Sequence, residues 1–403
     1  MRMDKEKKER ILVYKILYTV MILVIYLIGR SIALYGIDLK ALHDVQIDAQ
    51  SIFVQNVTGD LKNCSLFILG VWPYMWGSML MIVYVAIKSI DKTNRISQKK
   101  MNIVTYEITM VIALIQAYQK SREYTYIVPG NMVPLARLAV IVQMLAGMLL
   151  ILWLCDRNQK YGIGGRMGIF LVNITDGIFS MLAGHDFSEL VLPVCLGLIG
   201  IPVMMLLETS EKRIPVQRVS IHNIHADKNY ISYKMNPVGV MPIMFTSVFF
   251  MLPQLIVKLL AEFYPDHRSL IYLSDNMILT RPVGVVTYLI VQSLLVIGFS
   301  FLMLNPSKMA EGLLKSGDSI LDIYAGKPTK RYLIRTVLRL SLFSSLVLAV
   351  CMGVPLSLQF TAVKLDPSLA MLPCSIMMLT GLWITLYREA VVYRHMEEYR
   401  PLI

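Results

Sequence analysis

Ten apolar stretches, each near the length a helix needs to cross a bilayer, constrain this chain more than anything else in it. They fall at residues 11–33, 64–88, 102–120, 133–154, 167–183, 188–207, 238–261, 283–304, 333–353 and 368–388. A span takes roughly 20 helical residues, and inside lipid every backbone N–H and C=O has to be satisfied within the segment. The expected fold is therefore all-α and polytopic, with ten transmembrane helices. Of the 403 residues, 56% are hydrophobic and 16% charged, a balance that does not fit a soluble domain of this length.

The formal net charge of +12 follows from topology rather than from nucleic-acid binding, because Lys and Arg cluster between apolar stretches and form no aromatic-interleaved groove. An even number of spans puts both termini on one side. With that side cytoplasmic, the inside loops are 89–101, 155–166, 208–237 and 305–332. Those loops, the two tails, Lys88 and Arg388 hold about 26 of the 39 Lys and Arg, against about 7 outside. The expectation is a multi-pass protein of the cell membrane with N- and C-termini in the cytoplasm. The apolar part of the first stretch is too long for a cleavable leader, and Arg30 follows it directly.

Before the second stretch, residues 44–60 are apolar at Ile47, Ile52, Phe53, Val54 and Val57 but too short and polar to cross, and Thr58-Gly59-Asp60 breaks them from the span. This pattern is either a half-helix lining a cavity or an amphipathic surface loop. Glu107, Arg137 and Lys258 lie near span ends, where long side chains reach an interface. Asp176 does not, and Asn173 stands one turn before it. A gradient-coupled small-molecule transporter using Asp176 is therefore the rival functional reading, set against a carboxyl packed on another helix.

Two loops are substantial. In 208–237, apolar alternation on either side of Ala226-Asp227-Lys228-Asn229 predicts a β-hairpin. His222 and His225 lack a Glu or Cys partner at zinc spacing. In 305–332, Pro306 suits a first helical turn, Met309, Leu313 and Leu314 share a face, and Gly317 ends the helix. The string AGKPT is not a phosphate loop, because Leu321 stands where the first Gly is required and Pro328 separates Lys327 from Thr329. No nucleophile elbow, HExxH helix or carboxylate pair is present. The reading is of no enzyme, no catalytic residue, no metal and no cofactor. The five cysteines, with no CxxC pair, read as small packed hydrophobes.

Six strings then add up: LGVWPY (69–74), YGIGG (161–165), RIPVQ (213–217), NPVGVMP (236–242), NPSKMAEGLLKSG (305–317) and GKPTKRYL (326–333). In order and spacing the chain resembles the SecY protein-conducting channel over nearly its whole length. The resemblance implies two pseudo-symmetric five-helix halves, 11–186 and 187–388, between a tail at 1–10 and a tail at 389–403. It implies a pore between the halves, closed by an apolar ring of Val71, Met75, Met167, Leu171, Met244 and Met378. Residues 44–60 become a plug carrying Ile52, Phe53, Val54 and Val57. Apolar rings dewet a narrow pore, and methionine can reseal around varied chains. The signal sequence of a substrate is expected between the second and seventh spans, where Pro242 and Pro253 help the seventh helix bend.

Three positions depart from the family pattern. Ile82 stands where the family carries Gln, and Tyr106 and Tyr324 stand where it carries Arg. With its compact tails and outer loops, the chain looks more like the accessory SecY of Gram-positive bacteria. That likeness implies an accessory SecA-type motor ATPase on Arg213, Arg218, Lys315, Tyr324 and Lys327, and serine-rich glycosylated adhesins as secretory polypeptide substrate. The implied surroundings are the lipid bilayer and small SecE- or SecG-like subunits, with no nucleic acid.

Overall fold

The computed structural model describes residues 2–37, 64–88, 97–129, 132–183, 185–217, 229–264, 267–361 and 365–395. The expected plug (44–60), with Ile52, Phe53, Val54 and Val57, lies outside them, as do Arg218, His222 and His225. In chain order the helices are α1 (Arg2–Ser31), α2 (Trp72–Lys88), α3 (Gln98–Glu123), α4 (Val133–Tyr161), α5 (Met167–Ala183), α6 (Phe187–Thr209), α7 (Met241–Phe263), α8 (Arg268–Asn276), α9 (Pro282–Leu304), α10 (Pro306–Ser316), α11 (Lys327–Leu358), α12 (Pro367–Ala370) and α13 (Leu372–His395). Strands β1 (Glu211–Gln217), β2 (Tyr230–Lys234) and β3 (Ser319–Ile320) complete the described elements.

Each of the ten apolar stretches carries a helix, and eight helical stretches among the described residues are long and apolar enough to cross a membrane. The two short ones are α2 and α5, at 17 residues each. For α2 the expected span 64–88 is corrected: residues 66–71 are turns and the helix starts at Trp72. Gly70 takes φ +54° there, a left-handed backbone that suits glycine. The lead-in pairs with the segment just after α1 instead, Leu34 N–H bonding the Cys64 carbonyl at 2.7 Å and Leu66 N–H the Ile32 carbonyl at 2.9 Å. Phe67, Ile68 and Leu69 are buried against protein. Apolar sequence marks burial, and burial here does not need a helix.

The chain divides into two compact units, residues 1–180 with 385–403, and residues 181–384. In the first, α2, α3 and α4 pack round a core of Ile68, Leu69, Ala113, Ala117, Met144, Met148 and Leu152. Lipid gives helices little hydrophobic reason to associate, so small residues that let backbones approach carry much of the packing. A Cβ at Gly77 of α2 would overlap the Thr109 hydroxyl of α3, and one at Gly147 of α4 would overlap the Leu66 carbonyl.

In the second unit, α9 packs on α7 and α11, with Phe245 stacked on Phe299 and Phe250 edge-on to Tyr288. The expected hairpin is present, β1 pairing antiparallel with β2 in the register Ile214↔Ile231. The other loop contributes β3, which pairs with β1 through Val216↔Ile320, so the two long loops share one sheet of order β2-β1-β3. The expected helix also forms. Pro306 begins α10, the Asn305 side chain caps it at Lys308 N–H, and Gly317 (φ +75°) ends it. Buried Ile214, Tyr233, Ala310, Ile320, Leu333 and Val337 make one core under sheet, α10 and the start of α11.

Candidate functional site

In the first unit the YGIGG string is the turn between α4 and α5. Gly164 and Gly165 take φ +77° and +47°, a region costly to residues with a Cβ. Asn158, 1% exposed, clamps the turn by donating to the carbonyls of Ile163 (3.1 Å) and Gly165 (2.8 Å). Its own carbonyl oxygen accepts the Thr19 hydroxyl of α1 at 2.9 Å.

That turn delivers Arg166 to α2. Arg166 Nη1 donates to Tyr74 OH at 2.7 Å, and the guanidinium carbon stands 3.8 Å from the Tyr74 ring centre. Met167 follows as the first residue of α5 with Leu171 one turn on, both half-buried. Across the tie, Val71 and Met75 are buried, and Met75 N–H bonds the Val71 carbonyl at 3.0 Å. The starts of α2 and α5, which carry or directly follow the four expected ring residues of this unit, are thus fastened together.

In the second unit, Met244 and Met378 are buried in α7 and α13. A Cβ at Gly381 would overlap Val240, so α13 touches the N-cap of α7. Met244 lies one turn along α7 from that contact, and Met378 about one turn back along α13. Asn236, fully buried, holds the turn before α7 by donating to Glu208 Oε1 at 3.2 Å and to the Gly239 carbonyl at 3.0 Å. Glu208, 3% exposed at the end of α6, was not flagged by the sequence; no local pattern separates it from the charged loop that follows.

On the loop platform Arg213, Lys315, Tyr324 and Lys327 are all exposed, Tyr324 to 88%. Arg213 lies over the Tyr230 ring at 4.8 Å. Gly326 takes φ +99° and Pro328 is the second residue of α11, while Thr329, the would-be phosphate-loop threonine, is buried and donates to the Tyr324 carbonyl at 2.8 Å. Among the described residues, no three His, Cys, Asp or Glu side chains gather into a set able to hold a metal ion.

A family model described as SecY matches residues 65–387. The chain belongs to the SecY family. It is 30% identical over 404 residues to the accessory Sec system protein translocase subunit SecY2 of Streptococcus pneumoniae serotype 4, covering 98% of each chain. The corresponding subunit of Streptococcus agalactiae serotype Ia is 28% identical over 401 residues, covering 97% of this chain and 96% of that one. Among solved structures, one described as a protein-conducting channel superposes with TM-score 0.64 at 18% identity, over 97% of this chain and 95% of that chain. Sec61 in a canine ribosome–channel complex gives 0.63 at 16% identity, with the same coverage. These structures establish the fold. Within a SecY-family chain the three departures find distinct surroundings: Ile82 is 37% exposed, Tyr324 stands free of the platform surface, and Tyr106 OH donates to Asp156 Oδ2 at 2.7 Å.

Proposed function

We propose that this SecY-family chain is the channel subunit of an accessory Sec translocase in the cell membrane, passing unfolded secretory polypeptides through a pore between its two halves. Both termini face the cytoplasm. The apolar ring of Val71, Met75, Met167, Leu171, Met244 and Met378 closes around the moving chain, and residues 44–60 stopper it from outside. A dewetted apolar waist holds back ions without a charge barrier. A SecA-type ATPase docks on Arg213, Arg218, Lys315, Tyr324 and Lys327 and supplies the energy; serine-rich glycosylated adhesins are the substrates, and small SecE- or SecG-like subunits brace the channel. The chain itself breaks no covalent bond.

The observation that carries this reading is similarity to accessory SecY2 subunits along 97–98% of the chain. The rival transporter reading loses its main support, because Asp176 is ion-paired to Arg30 in the first unit. The test places cysteines at Met75 and Met244 and stalls a secreted substrate midway. Both positions are expected to crosslink to the arrested chain. No crosslink from either, with outward-facing controls on the same helices behaving identically, overturns the pore.

A further inference from the structure

One polar network in the first unit joins α2, α3, α4 and the turn before α5 through the Arg166 guanidinium and the Asp156 carboxylate. Arg166 Nη1 donates to Tyr74 OH of α2 at 2.7 Å, and Nη2 lies 3.2 Å from Asp156 Oδ1 of α4. The second oxygen of Asp156 accepts Tyr106 OH of α3 at 2.7 Å. The Tyr74 and Tyr106 rings lie 6.0 Å apart, tilted at 48°. Tyr74 and Tyr106 also pack on the apolar core that joins α2, α3 and α4. The described core residues of that cluster include none from α5, and further along α5 the polar ties run to α1, through Tyr26 to Asn173 and Arg30 to Asp176.

We propose that Arg166 is a positioning residue for channel closure, setting where the start of α5, and with it Met167 and Leu171, stands against Val71, the residue before α2, and Met75 of α2. The proposal rests on the pore reading above, but the positioning itself does not. The planar fork of arginine can stack on Tyr74 while reaching Asp156 with its other nitrogen; an ammonium is a single point and cannot do both. Tyr106 serves as the orienter, holding the carboxylate so that its free oxygen faces Arg166. The tie is also partly solvated, the Arg166 and Asp156 side chains being 26% and 47% exposed, so it can break and reform without burying a lone charge.

The test uses the full-length chain in lipid vesicles, its native cysteines replaced, with spin labels on Ser78→Cys in α2 and Val172→Cys in α5. The parent is expected to give one narrow distance. Arg166→Ala should broaden or split it, Arg166→Lys should restore it only in part, and Tyr106→Phe should loosen it less than either. In unlabelled protein Arg166→Ala is expected to raise iodide leak roughly tenfold, the ratio that a tie worth about 1.4 kcal/mol sets between closed and open forms. A narrow, unshifted distance in Arg166→Ala overturns the proposal whatever the leak. If that variant fails to assemble, Arg166→Lys, which keeps the charge, decides on the same measurement. Broadening without leak, in a channel that still crosslinks its stalled substrate from Met75, overturns the role in closure. Failure of the crosslinks alone overturns the pore reading and leaves the distance result standing.

Discussion

Arg30 Nη2 of α1 lies 2.5 Å from Asp176 Oδ2 of α5, and one turn back along both helices Tyr26 OH donates to Asn173 Oδ1 at 2.7 Å. Two rungs, an ion pair and a hydrogen bond, join the same helix faces. The pair that sequence alone marks as a possible ion site is therefore half of a ladder. The Arg30 side chain is 11% exposed and that of Asp176 55%.

Asp176→Asn is expected to cost about 1 kcal/mol of stability in the detergent-solubilised protein, the upper end for a partly exposed pair. Translocation in vesicles should persist. Loss of transport at unchanged stability would return Asp176 to an ion-coupling role.

Gly381→Val is expected to cost about 1–3 kcal/mol through overpacking against Val240. Val240→Ala should recover part of that loss, because the two sites touch and their effects do not add. Thermal melts of the two single variants and the double variant close the cycle. Strict additivity would mean that α7 and α13 do not meet at this point.

Lys315→Glu combined with Lys327→Glu is expected to weaken binding of a SecA-type motor by tenfold or more at low salt, with the difference shrinking as salt screens the charges (Debye length about 10 Å at 0.1 M). Stability should not change, since both side chains are exposed. Tyr324→Arg, at a position 88% exposed, should shift preference between motor types in a two-motor competition assay. Equal binding of both motors before and after removes the proposed role of Tyr324.

His185, between α5 and α6, gives a pH dependence with a definite sign. Burial disfavours its charge. The Nδ1 bond to the Met181 carbonyl (3.0 Å) and the Nε2 contact with Asp366 (3.2 Å), with Glu189 nearby, outweigh burial and raise its pKa above the ordinary value of about 6.5. Ser368 Oγ also stands 3.3 Å from Nε2. A folded-state value above the unfolded one means the stabilisation is complete below the unfolded pKa and is lost as pH rises through the folded one. Melting temperature should therefore fall across that window in the parent and stay flatter in His185→Asn. Parallel curves would show that the pair contributes nothing.

What was legible in the sequence is what repeats along one dimension. Apolar run length located a helix in each of ten stretches, eight of them long enough to cross a membrane among the described residues. Pro306 and Gly317 bounded α10, and alternation around residues 226–229 announced the pairing of β1 with β2. The two-residue β3 was not legible, because its partner strand is about 100 residues away and two residues carry no period. Nor was the non-helical lead-in at 66–71, since a buried turn and a buried helix are equally apolar.

By itself, then, the sequence determined the class, the places of the apolar helices and the family, because backbone in lipid has few solutions and the family strings are local. Only the tertiary structure decided which polar side chains share a partner: Arg166 with Tyr74 and Asp156, Asp176 with Arg30, Glu208 with Asn236. A charge carries no label for its mate. The pairing is chosen when helices bring distant residues within hydrogen-bonding reach, since a polar group left alone among apolar ones costs more than the bond it forgoes.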